Sequence, residues 1–263
     1  MDKCPLSVCV LTLNEAHNIA ACLGTVAGAD EILVGDTGSR DETVEIAKKY
    51  ADAVLRIAFR GHAASKAEVA AHAKHDWVLI LDADERVTPE LWQEIKTLVE
   101  NPPAEVKGMQ LRRRSFFLGK KMRAWDDDYQ LRLYRKDAAA WNDALIHCGV
   151  EVRGKVIKSA GYLDHHTDPN LSHILRKMNA YTNANAADLI RANKKGLTVA
   201  AAFFHAASTF FRVYVMRGAM WDGRIGFVFA SVQALFNWFR YLKAWEIKKG
   251  IAPMPGMKDF MPL

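Results

Sequence analysis

The sequence predicts an α/β protein in which helices flank a mixed sheet and amphipathic helices follow at the C-terminal end. Up to Pro102 and Pro103, short apolar runs alternate with helical patterns, which is typical of a parallel, doubly wound sheet. Beyond these prolines, β-rich runs follow one another without long helices, which indicates strands of mixed direction. Two amphipathic helical patterns then close the chain.

Four apolar runs predict the parallel strands. Residues 6–13 are apolar without alternation, which favours a strand buried on both faces. The other predicted strands are residues 31–34, 53–57 and 77–81.

Helices are predicted between these strands. Ile19, Cys22, Leu23 and Val26 form one apolar stripe. Ser39 and Glu42 match a capping box, which predicts a second helix with Val44, Ala47 and Tyr50 facing inward. Residues 62–74 form an Ala-rich helix, and Thr88 before Pro89 is a strong helix start. The later predictions are strands at 106–113, 129–134, 150–152 and 156–159 and a helix at 171–192.

Charge and cysteine content limit the class of protein. Residues 191–263 hold 11 Lys/Arg and 3 Asp/Glu, a net charge of +8, whereas residues 1–190 hold 25 and 27, a net charge of −2. The basic residues match no nucleic-acid-binding signature, so no nucleic-acid partner is expected. Four cysteines without paired spacing indicate a reduced, cytoplasmic compartment, and no secretory signal is expected at the N-terminus.

The basic C-terminal part carries two apolar stripes. One contains Phe203, Ala207, Phe210, Phe211 and Tyr214, and the other contains Val228, Val232, Leu235, Phe239 and Leu242. Aromatic stripes beside Lys and Arg suit helices that lie in a membrane interface. Helices that pack on the rest of the protein or on a second subunit would show the same stripes, and both interpretations stay open.

Polar residues follow three of the predicted strands. Asn14 and Glu15 follow the first strand, Asp36 follows the second, and Asp82 and Asp84 follow the fourth. Ligands of open α/β sheets bind beyond the carboxyl ends of the strands. The two aspartates suit a hard divalent ion, Mg²⁺ or Mn²⁺, that takes its remaining ligands from a bound phosphate group. The sequence therefore predicts a site that binds a metal–diphosphate and forms hydrogen bonds with sugar hydroxyls and base edges.

Other phosphate-binding classes fit poorly. No GxGxxG follows the first strand, and the segment GDTGS at 35–39 lacks the Lys-Ser/Thr ending of a P-loop. A nucleotidyltransferase would carry a Gly/Arg/Lys-rich phosphate loop after its first strand, and residues 11–15, LTLNE, do not.

The chain resembles family two glycosyltransferases with the GT-A fold, and more narrowly bacterial lipopolysaccharide-core β-glucosyltransferases. The matching stretches are VLTLNEAHNIAACL, DEILVGDTGSRDETVEIA, DWVLILDADERV, DYQLRLYRK, the spacing of His165, Lys177 and Tyr181, and Asp222-Gly223 with Gly226. The resemblance implies three segments: a nucleotide-sugar-binding half at 1–103, an acceptor-binding half at 104–192, and an amphipathic helical segment at 193–263, for which membrane association is one of the two open interpretations.

The resemblance also implies roles for single residues. Asn14, Glu15 and Asp36 would contact the nucleoside. Asp82 would contact ribose or metal-bound water, and Asp84 would bind the metal. His165 would approach the metal or the diphosphate, while Asp128 and Arg132 would line the acceptor side.

The chain departs from its relatives at two places. Relatives commonly have His-Glu where this chain has His147-Cys148, and that glutamate is a candidate general base. Asp128 or Glu151 could replace it, beside His147. Relatives often have a basic residue followed by Asn where this chain has Lys66-Ala67, so the positive charge of the donor site is kept and the amide is lost.

The sequence therefore predicts a metal-dependent, inverting hexosyltransferase on the inner face of the cytoplasmic membrane. It would move a sugar from a nucleotide diphosphate, with a UDP-sugar expected, to a lipopolysaccharide-core or other lipid-linked acceptor. The alternative is a catalytically altered GT-A-like module that binds nucleotide or membrane without turnover, which the Cys148 departure favours.

Overall fold

The computed structural model describes residues 3–125, 128–141, 150–168 and 170–255. The chain divides into two compact units, one of residues 1–114 and 127–165 and one of residues 115–126 and 166–263. The three segments expected from the resemblance were defined by function and not by compactness. The division into 1–103, 104–192 and 193–263 therefore stays a prediction.

The first unit begins with the predicted parallel strands. They are β1 (Cys4–Thr12), β2 (Ala29–Asp36), β3 (Ala53–Arg56) and β4 (Trp77–Asp82), and the helices between them are α1 (Ile19–Gly24), α2 (Thr43–Ala47) and α3 (His62–Ala71). β1 pairs in parallel with β2 on one side and with β4 on the other. Leu6, Val8 and Val10 of β1 pack in one apolar cluster, and Cys9 packs in another. Burial on both faces explains the uninterrupted apolar run.

Strands of opposite direction complete the sheet, as predicted. The further elements are β5 (Glu85–Val87), α4 (Pro89–Glu100), β6 (Val106–Phe117), β7 (Lys120–Lys121), β8 (Asp128–Arg135), β9 (Ala139–Trp141), β10 (Val150–Val152) and β11 (Lys155–Asp168). The strand order is β3-β2-β1-β4-β8-β6-β11-β5, with β7 beside β6 and a separate two-stranded sheet of β9 and β10. β8 joins β4 antiparallel, which makes the sheet mixed.

Two local predictions are wrong for identifiable reasons. Ser39 does not cap α2, because its hydroxyl accepts a hydrogen bond from the backbone of Asn14. α2 ends at Ala47, so Tyr50 is 46% exposed instead of facing inward. By contrast, the hydroxyl of Thr88 accepts a hydrogen bond from the N–H of Leu91 and caps α4 as predicted.

The second unit is mainly helical. It contains α5 (Leu171–Arg191), α6 (Val199–Phe211) with a π-helical continuation at Arg212–Met216, a 3₁₀ turn at Ala219–Asp222, and α7 (Gly223–Lys248). Its main core includes Phe117, Met122, Ile174, Met178 and Phe229. Gly226 is required at the start of α7, because a Cβ there would lie 1.7 Å from the carbonyl oxygen of Ala219.

The apolar stripes predicted for the last two helices are only partly buried. In α6, Phe203 and Phe211 are exposed, whereas Ala202 and Thr209 are buried. In α7, Val232 is buried, but Leu235 and Phe239 of the same stripe are exposed.

Candidate active site

The carboxyl ends of β1, β2 and β4 lie side by side. In the parallel register Thr12 is opposite Asp36, and Leu11 is opposite Asp82. The segments that follow these strands therefore leave the sheet at one edge, where the sequence predicts a ligand site.

Hydrogen bonds join the loop after β1 to the loop after β2. The backbone N–H of Asn14 donates to the hydroxyl of Ser39 at 2.8 Å, and the side-chain oxygen of Asn14 accepts from the backbone N–H of Arg40 at 2.8 Å. The N–H of Glu15 donates to the hydroxyl of Thr43, also at 2.8 Å. Asn14 adopts a left-handed φ of 53°, a conformation that asparagine tolerates better than most residues.

The carboxylate of Asp36 shapes its own turn. It accepts hydrogen bonds from the backbone N–H groups of Gly38 and Ser39, and the residue is buried. Glu15 accepts from the side-chain amide of Asn18 at 2.8 Å, and Arg86 donates to the oxygen of the same amide at 3.3 Å. Hydrogen bonds of Asn14, Glu15 and Asp36 therefore stabilise the conformation of the loops after β1 and β2. Contact of these three residues with a nucleoside stays a prediction.

Two cations bind the carboxylate of Asp82. The ammonium group of Lys66 lies 2.6 Å from one oxygen, and the guanidinium of Arg132 lies 2.7 Å from the other. Burial by itself raises the pKa of Asp82, but Lys66 and Arg132 outweigh it and hold that pKa well below its ordinary value. Asp82 is therefore an ion-paired carboxylate at neutral pH.

Arg132 and Glu85 form a buried ion pair behind Asp82. Glu85 has no exposed surface, and one of its oxygens lies 2.6 Å from the Arg132 guanidinium. Its other oxygen accepts the backbone N–H of Asp82 at 2.9 Å. Burial alone lowers the pKa of Arg132, but Glu85 and Asp82 outweigh it and raise that pKa. The pair fixes both the backbone and the side chain of Asp82.

Sequence reasoning missed this pair. Arg132 was expected on the acceptor side, but it is buried among carboxylates, and Glu85 had no expected role. One signal was available: Arg132 interrupts the apolar run Leu131-x-Leu133-Tyr134, and a charged residue inside such a run is seldom buried without a partner.

Asp84 pairs with His165. The Asp84 carboxylate lies 3.2 Å from Nε2 of His165, and both side chains are mostly buried. β11 runs antiparallel to β5 with His165 opposite Glu85, and this register brings the imidazole beside the aspartate. Within the described residues no group of three or more His, Cys, Asp and Glu side chains has the arrangement of a metal site.

The candidate general bases Asp128 and Glu151 have other neighbours than the ion pairs of Asp82 and Asp84. Asp128 forms an ion pair with Arg113 and accepts a hydrogen bond from the amide of Gln130 at 2.9 Å. Glu151 is exposed on β10, opposite Ala140 of the two-stranded sheet. His147 and Cys148 lie outside the described residues.

Comparison with known proteins identifies the class of this chain. Residues 7–152 match the family model described as glycosyl transferase family 2, and the chain belongs to that family. The fold is that of the GT-A glycosyltransferases, as predicted. The mannosyltransferase PcManGT from Pyrobaculum calidifontis, solved in complex with GDP-Man and Mn²⁺, superposes with a TM-score of 0.51 over 92% of this chain and 87% of its own at 14% identity.

Two sequence relatives cover nearly all of the chain. The lipopolysaccharide core biosynthesis glycosyltransferase LpsC of Rhizobium meliloti is 25% identical over 98% of both chains. An uncharacterised glycosyltransferase of Rickettsia typhi is 25% identical over 92% of this chain and 87% of its own.

Proposed function

We propose that this protein is an inverting glycosyltransferase that moves a sugar from a nucleotide-diphosphate donor to a lipid-linked acceptor. A UDP-sugar is the donor expected from the resemblance, and a lipopolysaccharide core is the acceptor that the name of LpsC favours. The observation that carries the proposal is the edge of the sheet where Asp84 and His165 pair while Lys66 and Arg132 neutralise Asp82.

The donor diphosphate would lie beside the segment 82–85. Two cationic side chains, Lys66 and Arg132, and three carboxylates, those of Asp82, Asp84 and Glu85, give these five groups one net negative charge. An anionic diphosphate alone would be repelled. A diphosphate that arrives with a divalent cation would not, which favours joint binding of metal and donor.

The residues present fit such a cation. Asp84 and His165 offer an oxygen and a nitrogen ligand at one place, and Mg²⁺ and Mn²⁺ sites of this kind take their other ligands from phosphate and water. Asp82 is engaged by Lys66 and Arg132, so we assign it to the ribose or to a metal-bound water rather than to direct coordination. A metal bound here would neutralise charge on the departing diphosphate.

The nucleoside would lie against the joined loops after β1 and β2. Asn14, Glu15 and Asp36 supply carbonyl and carboxylate oxygens there, and these groups accept hydrogen bonds from sugar hydroxyls and base N–H groups. Because backbone hydrogen bonds already fix these loops, binding would require little reordering.

Asp128 is our first candidate for the general base. Inversion requires a carboxylate to accept the proton of the acceptor hydroxyl as its oxygen bonds the anomeric carbon and the sugar–phosphate bond breaks. Asp128 is 40% exposed and accessible to an acceptor, and Arg113 holds its orientation. Glu151 and His147 remain the other candidates.

We place the reaction at the cytoplasmic face of a membrane, because a lipid-linked acceptor resides there. The supporting observation is the exposed apolar surface of the second unit.

Thermal unfolding with a panel of nucleotide sugars, each with and without Mn²⁺, tests the donor site. A ligand that binds only the folded state raises the melting temperature, so one donor should stabilise the protein and Mn²⁺ should enlarge the shift. Asp84→Asn should remove the contribution of Mn²⁺ and abolish transfer. Asp137→Asn is the matched control, because Asp137 is an exposed aspartate paired with Arg135.

Two outcomes would contradict the proposal. Normal turnover of Asp84→Asn would remove the role of the metal. Donor binding without hydrolysis or transfer in any acceptor mixture would instead favour the altered, non-catalytic module that Cys148 suggests.

A further inference from the structure

The second unit exposes an unusual amount of aromatic surface. Six large apolar side chains between residues 199 and 227 are each more than half exposed: Phe203, Phe204, Phe211, Met216, Trp221 and Phe227. We call these six side chains the aromatic face. Soluble monomers seldom expose contiguous apolar patches of this kind without a partner.

The side chains of the aromatic face lie on a continuous stretch of structure. Phe204 and Phe211 are seven residues apart on α6, so they share one side of the helix. Phe227, at the start of α7, contacts the rings of Phe210 and Tyr214 with centroids 5.6 and 5.8 Å away.

The packed side of α6 carries a polar contact with α7. Thr209 is buried and accepts a hydrogen bond from the amide of Asn237 at 3.0 Å. His205 is exposed, and its ring stacks on Tyr241 of α7. A water-facing helix would place its phenylalanines inside, whereas Phe203, Phe204 and Phe211 are each more than half exposed. The outer side of α6 therefore fits an apolar medium.

The exposed charged residues between 199 and 227 have one sign. Arg212, Arg217 and Arg224 are exposed. Within residues 199–227, all of which the structure describes, Asp222 is the single acidic residue, and it is buried with its carboxylate accepting the N–H of Arg123. A second copy of the chain would bring arginines against arginines, whereas an anionic lipid surface complements them.

A transmembrane arrangement fits less well. Residues 199–216 form the one described segment that is long and apolar enough to cross a membrane by length and composition. However, Arg212 lies within this segment, and α6 is joined to α7 through Thr209, Asn237 and His205. An arginine at membrane depth is costly, whereas aromatic and arginine side chains are both favoured at the interface.

We infer that the aromatic face inserts into the surface of an anionic lipid bilayer, with α6 lying in the membrane plane and Arg212, Arg217 and Arg224 at the head groups. This inference rests on the membrane location given under the proposed function, but not on the transfer reaction.

Vesicle co-sedimentation of the full chain tests the inference, with phosphatidylcholine vesicles that contain or lack phosphatidylglycerol. We expect binding to the anionic vesicles that weakens as salt is raised. Replacing Arg212, Arg217 and Arg224 together by Gln should lower the partition coefficient about a hundredfold, since each basic side chain contributes about fivefold, or about 1 kcal/mol.

A second variant removes the apolar contribution. Phe204→Ser, Phe211→Ser and Trp221→Ser combined should lower binding to both vesicle types, by about tenfold for each side chain that inserts. Tyr50→Ser is the matched control, because Tyr50 is an exposed aromatic residue of the other unit, and it should bind as the wild type does. Circular dichroism and the melting temperature check that each variant is folded.

Three results would overturn the inference. They are equal binding with and without anionic lipid, resistance of the bound protein to alkaline carbonate extraction, which marks a spanning helix, and dimerisation through the aromatic face without vesicle binding. These assays contain neither donor nor acceptor, so they can fail while the donor-binding measurements succeed.

Discussion

The two units place their charged and apolar side chains in opposite ways. In the described part of the first unit, Tyr50 is the only exposed large apolar side chain, while Glu85 and Arg132 are buried. In the second unit many large apolar side chains are exposed, and a Thr209–Asn237 hydrogen bond lies between its last two helices.

This difference separates two physical problems. The first unit must hold several charges at one edge of a sheet, and it does so with ion pairs that keep Asp82 ionised and oriented. The second unit leaves apolar area in contact with water, which is unfavourable unless something else covers that area. The first unit is thus distinguished by buried charges that are paired, and the second unit by large apolar side chains that stay exposed.

The largest expected effect comes from breaking the buried ion pair of the first unit. Arg132→Met leaves the carboxylate of Glu85 buried without its guanidinium, and we expect the free energy of unfolding to fall by about 3 to 5 kcal/mol. Urea unfolding measures this change.

Arg135→Met is the control for that measurement. Arg135 lies on the same strand and pairs with Asp137, whose side chain is 57% exposed, so its loss should cost about 1 kcal/mol or less. Equal effects of the two substitutions would show that burial of Glu85 adds nothing.

A smaller effect should depend on pH. The pKa of Asp82 is held below its ordinary value, so its ionisation stabilises the folded state above the pKa of an unfolded aspartate, about 4. This contribution is lost as the pH falls through the depressed pKa. Asp82→Asn should therefore be less stable than the wild type at pH 7, and the difference should shrink in acid.

Unfolding by urea at neutral and acidic pH measures this difference. Asp137→Asn should differ little from the wild type at either pH, because Asp137 is exposed. If the difference in the free energy of unfolding between Asp82→Asn and the wild type stayed constant in acid, Asp82 would act through its shape or hydrogen bonds and not through its charge.

Much of the sheet could be predicted because its strands are buried on both faces. β1 and β4 appear in the sequence as uninterrupted apolar runs, and their ends were placed within about two residues. The strands that carry residues of the candidate active site were harder to predict. β5 was missed, and β11 was expected only at 156–159, because Glu85, Asp164 and His165 break the apolar pattern.

The candidate site was predictable in its residue types but not in its pairings. The acidic residues at the strand ends were identified from position alone. That Lys66 and Arg132 bind Asp82 while His165 binds Asp84 depends on β8 joining β4 and on β11 joining β5, and no local pattern specifies these neighbours. The need for glycine at position 226 could not be predicted either, because it arises from the close packing of the Gly226 backbone against the carbonyl group of Ala219.

The smallest predicted effect concerns the polar contact between α6 and α7. Because α6 has aromatic residues on its exposed side too, apolar burial alone specifies weakly which side packs inward, and the Thr209–Asn237 hydrogen bond adds directional information. Thr209→Val keeps the shape and removes the acceptor, so we expect the free energy of unfolding to fall by about 1 kcal/mol.

A double-mutant cycle with Asn237→Leu isolates that hydrogen bond, and its coupling energy should also be about 1 kcal/mol. Ser231→Ala is the control, since the Ser231 hydroxyl donates to the carbonyl of Phe227 within α7 and its loss should change stability by less than about 0.5 kcal/mol. A coupling energy near zero would mean that the contact does not select the packed side of α6. The orientation of the aromatic face would then have to come from ring packing such as that of His205 on Tyr241.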